Sequence, residues 1–209
     1  MKIALLGATG RTGRQFLAQA GAAGHDVTAV VRDPAALTGR PHLSVIAADV
    51  MDPDAIGPLL ADHDAVVTTI GPRQTRIPST VQTESTASIL SAMRHHGTRR
   101  LIVVSNSGMV TTGDGPVSRI VAKPILRRLL RHTWADMRRM EDVVRASDLD
   151  WTILRPPMLT DGKRTGAYRT ALDRNVRGGI RVSRADVADA ILRCLADPAL
   201  VHATVSIAN

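Results

Sequence analysis

The chain has 209 residues, of which 44% are hydrophobic and 22% are charged, and its formal net charge at pH 7 is +8. This composition excludes a disordered or fibrous protein, and the length predicts a single domain over residues 1–209. The single cysteine, Cys194, excludes an internal disulfide framework and a thiolate metal cluster, and we expect no metal site. Because no apolar run approaches the roughly 20 residues of a membrane helix and the N-terminus lacks signal-peptide features, we expect a cytoplasmic protein without membrane contact.

The positive charge comes mainly from arginine, since the only lysines are Lys2, Lys123 and Lys163. A positive field favours anionic partners. Aromatic residues make up only 2% of the chain and offer little for bases to stack on, so we expect no nucleic-acid partner. The densest basic segment, 119–140, is interpreted as a solvated helix face, and the phosphates of a dinucleotide or flavin are anions that such charge would suit.

Apolar runs and helical spacing alternate along the chain. In chain order, the predicted elements are a strand over Lys2–Leu6, a helix over Arg11–Ala23, strands over Val27–Val31 and Leu43–Ala47, a helix over Asp54–Leu60, a strand over Ala65–Ile70, a helix over Ile77–His96, a strand over Leu101–Val104, a helix over Thr133–Ala146, a strand over Trp151–Leu154, a helix over Arg184–Leu195 and a strand over Ala203–Ile207. This alternation predicts an α/β fold, a Rossmann-like doubly wound and mostly parallel sheet with helices on both faces. The long irregular stretches 107–116 and 155–167 are expected to carry function.

Three glycines, Gly7, Gly10 and Gly13, follow the first predicted strand within the segment LLGATGRTGR. In a strand-turn-helix context, such glycines allow a tight turn, a close approach of a pyrophosphate and close packing of the helix on the strand. The amides and dipole at the helix N-terminus then receive the phosphates. A glycine-rich turn without a ligand would contain the same residue type, but the position after the first strand favours a cofactor site.

The segment GATGRTG resembles the cofactor turn of the extended and atypical short-chain dehydrogenase/reductases. Further segments resemble one branch of that superfamily, the NAD(P)H-binding, NmrA-like proteins that include biliverdin-IXβ reductase/flavin reductase. These segments are VVRDP, AADV, HGTRRLIVVSNSG, DWTILRPPMLTD, TGAY and SRADVADAILRCL. The resemblance runs nearly end to end and implies a reductase that uses a nicotinamide dinucleotide.

Two rules disagree about which dinucleotide binds. Asp33 lies where an acid would bind the ribose 2′-hydroxyl of NAD, whereas the preceding Arg32 would hold the 2′-phosphate of NADP. The resemblance places an arginine there for that phosphate, and Arg73 in the loop after the fourth strand would add a second cation, so we expect NADP(H) in preference to NAD(H). By the same resemblance, Asp49 and Val50 flank the adenine. The complete expected cofactor site comprises Gly7, Ala8, Thr9, Gly10, Arg11, Thr12, Gly13, Arg32, Asp49, Val50, Gly71, Arg73, Ser105, Pro156, Pro157 and Met158.

The usual proton-transfer residues of the superfamily, a Tyr-x-x-x-Lys pair, are absent from the sequence. The only tyrosine is Tyr168, and Leu172 stands where the lysine would be. The candidate catalytic residues are Ser105, Asn106 and Ser107, any of which could hydrogen-bond the nicotinamide carboxamide or the substrate. Met109, Trp134, Met158 and Leu159 could form an apolar substrate pocket, although ordinary loop or core packing is the more common role for any one of them alone.

These residues predict an acceptor that needs little acid from the protein. The leading hypothesis is an NADPH-dependent reductase for a small planar conjugated substrate: a flavin such as FMN or FAD, a linear tetrapyrrole or a similar compound. Two alternatives stay open, a non-catalytic NADP(H) sensor of the NmrA type and a biosynthetic tailoring enzyme or isomerase on the same scaffold. Either a monomer or a dimer is consistent with the sequence.

Overall fold

The computed structural model describes residues 1–72, 77–116, 119–120 and 123–209. Its strands are β1 Lys2–Leu6, β2 Asp26–Val31, β3 Leu43–Ala47, β4 Ala65–Thr68, β5 Arg100–Val104, β6 Asp150–Arg155, β7 Met158–Thr160, β8 Arg169–Leu172, β9 Arg181–Ser183 and β10 Ala203–Ala208. Its helices are α1 Arg11–Ala22, α2 Pro53–Leu60, α3 Val81–His96, α4 Lys123–Leu129, α5 Arg131–Arg145 and α6 Arg184–Ala196. Short 3-10 turns lie at Pro34–Ala36, Ser107–Met109 and Pro198–Leu200.

The central sheet has eight strands in the order β3-β2-β1-β4-β5-β6-β10-β8. Every neighbouring pair is parallel except β10 and β8, which are antiparallel. The strand order reverses between β1 and β4, and in such sheets ligands bind beyond the carboxyl ends of the strands at that point. The predicted Rossmann-like doubly wound fold is confirmed.

Both faces of the sheet are covered by helices, and the strands are apolar on both sides as a result. In β1, Ile3 and Leu5 face the core beneath α1 and α6, while Ala4 and Leu6 face the core beneath α2, α3 and α5. Phe16 of α1 is fully buried in the first of these cores. The second core includes buried side chains from three helices, Ile56, Ile89, Met93, Met140 and Val144.

The structure differs from the predicted elements mainly at short strands and helix starts. Helix α3 begins at Val81 rather than at Ile77, which fits the bias of a residue before proline, here Pro78, against helical backbone. Strand β4 ends at Thr68 rather than at Ile70. The stretch 155–167, predicted to be irregular, contains β7, which pairs in parallel with β9. Strands β8 and β9 were not predicted because each is short and lacks an alternating apolar pattern. Helix α4 lies within the basic segment 119–140, which was interpreted as a helix face.

Within the described ranges, no helix combines the length and hydropathy that a bilayer crossing requires.

Candidate functional site

A cavity of about 540 Å³ opens at the point where the strand order reverses. Its walls come from the β1–α1 turn, the end of β2, the segment after β3 and the segment after β4. The expected cofactor residues that the structure brings together in these walls are Gly7, Ala8, Thr9, Gly10, Arg32, Asp49, Val50 and Gly71. Arg11, Thr12 and Gly13 follow directly in the first turn of α1. Arg73 lies outside the described residues.

The glycines of the turn are required by close backbone contacts. Gly7 has φ +87°, and a Cβ there would lie 2.7 Å from Oγ1 of Thr69 and 2.8 Å from its carbonyl carbon. A Cβ on Gly13 would collide with the Gly7 carbonyl oxygen and lie 2.8 Å from Cα of Ala8. Gly7 therefore permits the turn, and Gly13 permits α1 to approach it, as the spacing predicted.

The N-terminus of α1 opens at this turn without a capping side chain. Its N-cap is Gly10, whose N–H donates to the Gly7 carbonyl at 3.0 Å. The described first turn contains no acidic residue. Because a helix N-terminus carries partial positive charge on its amides, this one suits an anion such as a pyrophosphate.

Arg32 and Asp33, which directly follow β2, have different surroundings. Arg32 is exposed and lines the cavity. The Asp33 carboxylate accepts a hydrogen bond from the Ala35 N–H at 3.0 Å and caps the turn that follows β2. Arg14 holds this region together, since its guanidinium donates to the Thr9 carbonyl at 3.1 Å and to the Ala36 carbonyl at 2.9 Å. The local hydrogen bond of Asp33 favours Arg32 as the residue that meets a ligand.

The three candidate catalytic residues after β5 do not line this cavity. Ser105 is buried and faces Glu141 of α5. The Asn106 side chain accepts from the Gly108 N–H at 2.7 Å and caps the following 3-10 turn. Ser107 is buried, and its N–H donates to the Pro156 carbonyl at 3.0 Å. The Asn106 side chain therefore holds the 3-10 turn in place, and the Ser107 backbone joins the loop to the buried residues Pro156 and Pro157.

Beneath Ser105 lies a buried ion pair that the sequence did not reveal. Nε of Arg155 donates to Oε1 of Glu141 at 2.8 Å, and a second hydrogen bond joins the Arg155 guanidinium to Oε2. Arg145 also donates to Oε2, at 2.9 Å. Burial raises the pKa of Glu141, but the hydrogen bonds and charge of Arg155, with the hydrogen bond from Arg145, outweigh it and leave the pKa below its ordinary value. Glu141 is therefore an ionised structural group.

The expected apolar pocket is only partly formed. Met109 and Trp134, expected in its wall, are buried, and a Cβ on Gly108 would lie 2.6 Å from the Trp134 ring. The indole thus packs beneath the 3-10 turn because glycine leaves it room, which corrects the expectation that it faces a substrate. Leu159 packs on the core beneath α1 and α6. Met158 is 62% exposed and is the one member of the set on the open surface.

The loop 107–114 is fixed by side chains that sequence reasoning missed. The Lys123 ammonium donates to the Ser107 carbonyl at 3.2 Å and also contacts the Val110 carbonyl and the Asp114 carboxylate. Asn175 donates to Val110 and to Asp114, each at 2.9 Å. No local pattern predicts these contacts, because the partners are brought together by the fold.

The segment TGAY packs on α6 rather than on the cavity. The Asp186 carboxylate accepts from the N–H groups of Thr165 and Gly166, at 2.7 and 2.9 Å. The Tyr168 hydroxyl donates to the Asp189 carboxylate at 2.8 Å. Burial and this carboxylate raise the pKa of Tyr168 far above its ordinary value, so the phenol stays protonated and committed to Asp189.

Known proteins resemble this chain in sequence and in fold. The chain is 29% identical to the uncharacterized protein YwnB of Bacillus subtilis over 206 residues, 95% of this chain and 93% of that protein. It is similar in structure to a short-chain dehydrogenase/reductase of Veillonella parvula in complex with NADP, with 21% identity, a TM-score of 0.82 and coverage of 100% and 94%. A protein of Streptococcus pneumoniae named as a candidate NADH-flavin reductase has 23% identity, a TM-score of 0.80 and coverage of 100% and 99%.

These two structures share the fold of this chain. Residues 7–198 match the family model described as NAD(P)H-binding, which covers the glycine turn, the cavity and the strands and helices around them. The chain therefore belongs to the NAD(P)H-binding family.

Proposed function

We propose that the protein is an NADPH-dependent reductase that passes a hydride to a flavin, a linear tetrapyrrole or a similar planar conjugated acceptor. The observation that carries this proposal is the cavity itself, which is lined both by the turn that leads into the uncapped N-terminus of α1 and by Arg32. The match to NAD(P)H-binding proteins supports the cofactor class. The likeness to a protein named as a candidate NADH-flavin reductase supports a flavin as one acceptor to test.

The residues of the cavity fit a phosphorylated dinucleotide. In the proposed complex, the turn from Gly7 to Gly13 binds the pyrophosphate through backbone amides, and Asp49 and Val50 flank the adenine. Arg32 binds the 2′-phosphate, because a guanidinium matches the geometry of a phosphate better than any other side chain. When bound, the nicotinamide supplies the hydride.

The surroundings of the candidate acids favour an acceptor that needs no proton from the protein. Tyr168 is bonded to Asp189, Ser105 faces Glu141, and Asn106 caps a turn. The task left to the protein is to hold two planar groups in contact and to exclude water between them. The hydrogen-bonded loop 107–114 and the exposed Met158 offer a surface for the second group beside the Ser105–Ser107 segment.

A non-catalytic NADP(H) sensor is the second candidate. It is favoured by the commitment of Asn106 and Tyr168 to structural hydrogen bonds. The two candidates share a cofactor site and differ only in whether reduced cofactor is consumed.

The test is to incubate the purified protein with NADPH or NADH and a panel of FMN, riboflavin and biliverdin, and to follow the loss of reduced nicotinamide absorbance. We expect acceptor-dependent oxidation of NADPH in excess of the reaction without protein. Tight binding of NADPH without turnover on any acceptor would support the sensor instead. A protein that binds neither NADPH nor NADH would contradict both.

A further inference from the structure

The loop after β7 places a carboxylate on the arginine that begins α1. Oδ2 of Asp161 accepts a hydrogen bond from the Arg11 guanidinium at 3.0 Å, and Oδ1 of Asp161 accepts one from the Arg184 guanidinium at 2.6 Å. Arg11 and Arg184 are the first residues of α1 and α6. One carboxylate therefore bridges the N-termini of two helices that pack against each other on the same face of the sheet.

Asp161 is held in position by contacts of the residues that precede it and of those that follow it in the sequence. Before it, Thr160 pairs with Ser183 in the β7–β9 ladder. After it, the Lys163 carbonyl accepts from the Ser183 hydroxyl at 3.1 Å, and Thr165 and Gly166 are bonded to Asp186. The carboxylate is thus presented to α1 by an anchored segment of the chain.

The side chains of Arg11 and Arg184 differ in their exposure to solvent. The Arg184 side chain is only 11% exposed, whereas the Arg11 side chain is 69% exposed. Arg184 therefore fixes the orientation of the Asp161 carboxylate, and Arg11 is the partner that can leave. Exposed ion pairs of this kind are weak, worth roughly a two- to five-fold change in an equilibrium at most.

Arg11 directly follows Gly10, which lines the dinucleotide cavity. A guanidinium at the first position of this helix stands beside the amides proposed to bind the pyrophosphate, and phosphate is a stronger partner for it than an exposed carboxylate. We propose that Asp161 competes with the cofactor pyrophosphate for Arg11, so that Asp161 sets the affinity of the protein for its dinucleotide. This inference rests on the proposed cofactor site.

The competition is tested by measuring the Kd for NADPH by calorimetry, without any acceptor present. We expect Asp161→Asn to lower the Kd for NADPH by about two- to five-fold, because it releases Arg11. Arg11→Ala is expected to raise the Kd. Asp142→Asn is the matched control, since Asp142 is an exposed acid on α5 outside the cavity walls, and its change in net charge is the same.

The double variant Arg11→Ala/Asp161→Asn separates competition from simple charge repulsion. If Asp161 acts through Arg11, Asp161→Asn has no effect when Arg11 is absent. An equal gain in affinity in both backgrounds, or no gain in either, would overturn the inference. Failure of the wild-type protein to bind NADPH at all would instead contradict the proposed function, so the two failures are distinguishable.

Discussion

Arg155 at the end of β6 and Glu141 on α5 form a buried, doubly hydrogen-bonded ion pair, with Nε and Oε1 2.8 Å apart. The pair lies beneath Ser105, at the point where the loop after β5 leaves the sheet. It joins a strand, a helix and a loop of the proposed acceptor side. The fold depends on this pair because a buried charge that loses its partner cannot recover its hydration.

Removal of the Glu141 charge is predicted to destabilise the protein strongly. Glu141→Gln leaves the buried Arg155 without its counter-charge, and the expected loss in free energy of unfolding is about 3–5 kcal/mol. Urea denaturation followed by circular dichroism measures this loss. The control is Asp142→Asn, an exposed neighbour on the same helix, which we expect to change stability by less than about 0.5 kcal/mol. Similar stability of the two variants would contradict the role of the pair.

The same carboxylate predicts a pH dependence of stability. The pKa of Glu141 is below its ordinary value in the folded protein, so its contribution is fully present above the unfolded-state pKa of about 4.3 and is lost as the pH falls through the lower folded-state pKa. The difference in unfolding free energy between wild type and Glu141→Gln should therefore shrink below about pH 4. A difference that stays constant down to pH 2 would show that folding does not lower the pKa of the Glu141 carboxyl group.

A methyl group at Gly13 is predicted to distort the cofactor turn. In Gly13→Ala the new Cβ collides with the Gly7 carbonyl oxygen, and we expect a loss of about 1–3 kcal/mol in stability together with loss of dinucleotide binding. Gly21→Ala lies in the same helix with no atom near its Cβ, and it should stabilise the protein by about 0.5–1 kcal/mol. Thermal unfolding and NADPH titration are measured for both variants. If the close approach of α1 to the turn is the cause, stability and NADPH binding fall in Gly13→Ala and not in Gly21→Ala.

The charge of Arg32 is predicted to decide between the two dinucleotides. Arg32→Ala should weaken NADPH binding about tenfold, the cost of one charge-assisted hydrogen bond at an exposed site, and leave NADH binding nearly unchanged. Asp33→Asn is the neighbouring control, since the Asp33 carboxylate caps a local turn. If the loss fell on NADH, or if Asp33→Asn rather than Arg32→Ala changed the preference, the assignment of Arg32 would be wrong.

Removal of the Tyr168 hydroxyl is predicted to affect stability but not turnover. Tyr168→Phe deletes the hydrogen bond to Asp189, whose carboxylate keeps Arg164 and Arg193 as partners, so the expected cost is about 1 kcal/mol. The burial that raises the pKa of this phenol argues against a proton-transfer role. A large fall in kcat without a change in Tm would identify Tyr168 as a proton donor after all.

The geometry of the glycine turn could be predicted from the sequence because its residues are local in the chain. Gly7, Gly10 and Gly13 lie in one short segment, and Arg32 directly follows the next strand, so strand order alone brings them together. The contacts on the proposed acceptor side could not be predicted in this way. Ser105 meets Glu141, and Trp134 packs beneath Gly108, through contacts set by tertiary packing that no sequence spacing encodes.

The expected pocket wall is only partly formed, for a related reason. The sequence places Trp134 and Met109 near the predicted crevice, where apolar side chains could contact a planar ligand. The same side chains could equally pack beneath a loop and hold it on the protein. Lys123 and Asn175 show how much polar contact that loop uses. Isolated apolar residues in a loop or on the helix beside it thus leave the two roles undistinguished until the packing is known.

One carboxylate connects the helix α3, whose first residue lines the cavity, to the helix α5 that packs on it. Asp136 of α5, only 1% exposed, accepts from the N–H groups of Gln82 and Thr83 at 3.0 and 3.2 Å, and so supplies the cap that α3 lacks in its own sequence. Val81, the first residue of α3, lines the cavity. The two helices should therefore open to solvent together, and slow amide exchange at Gln82 and Thr83 would report the integrity of α5 as faithfully as that of α3.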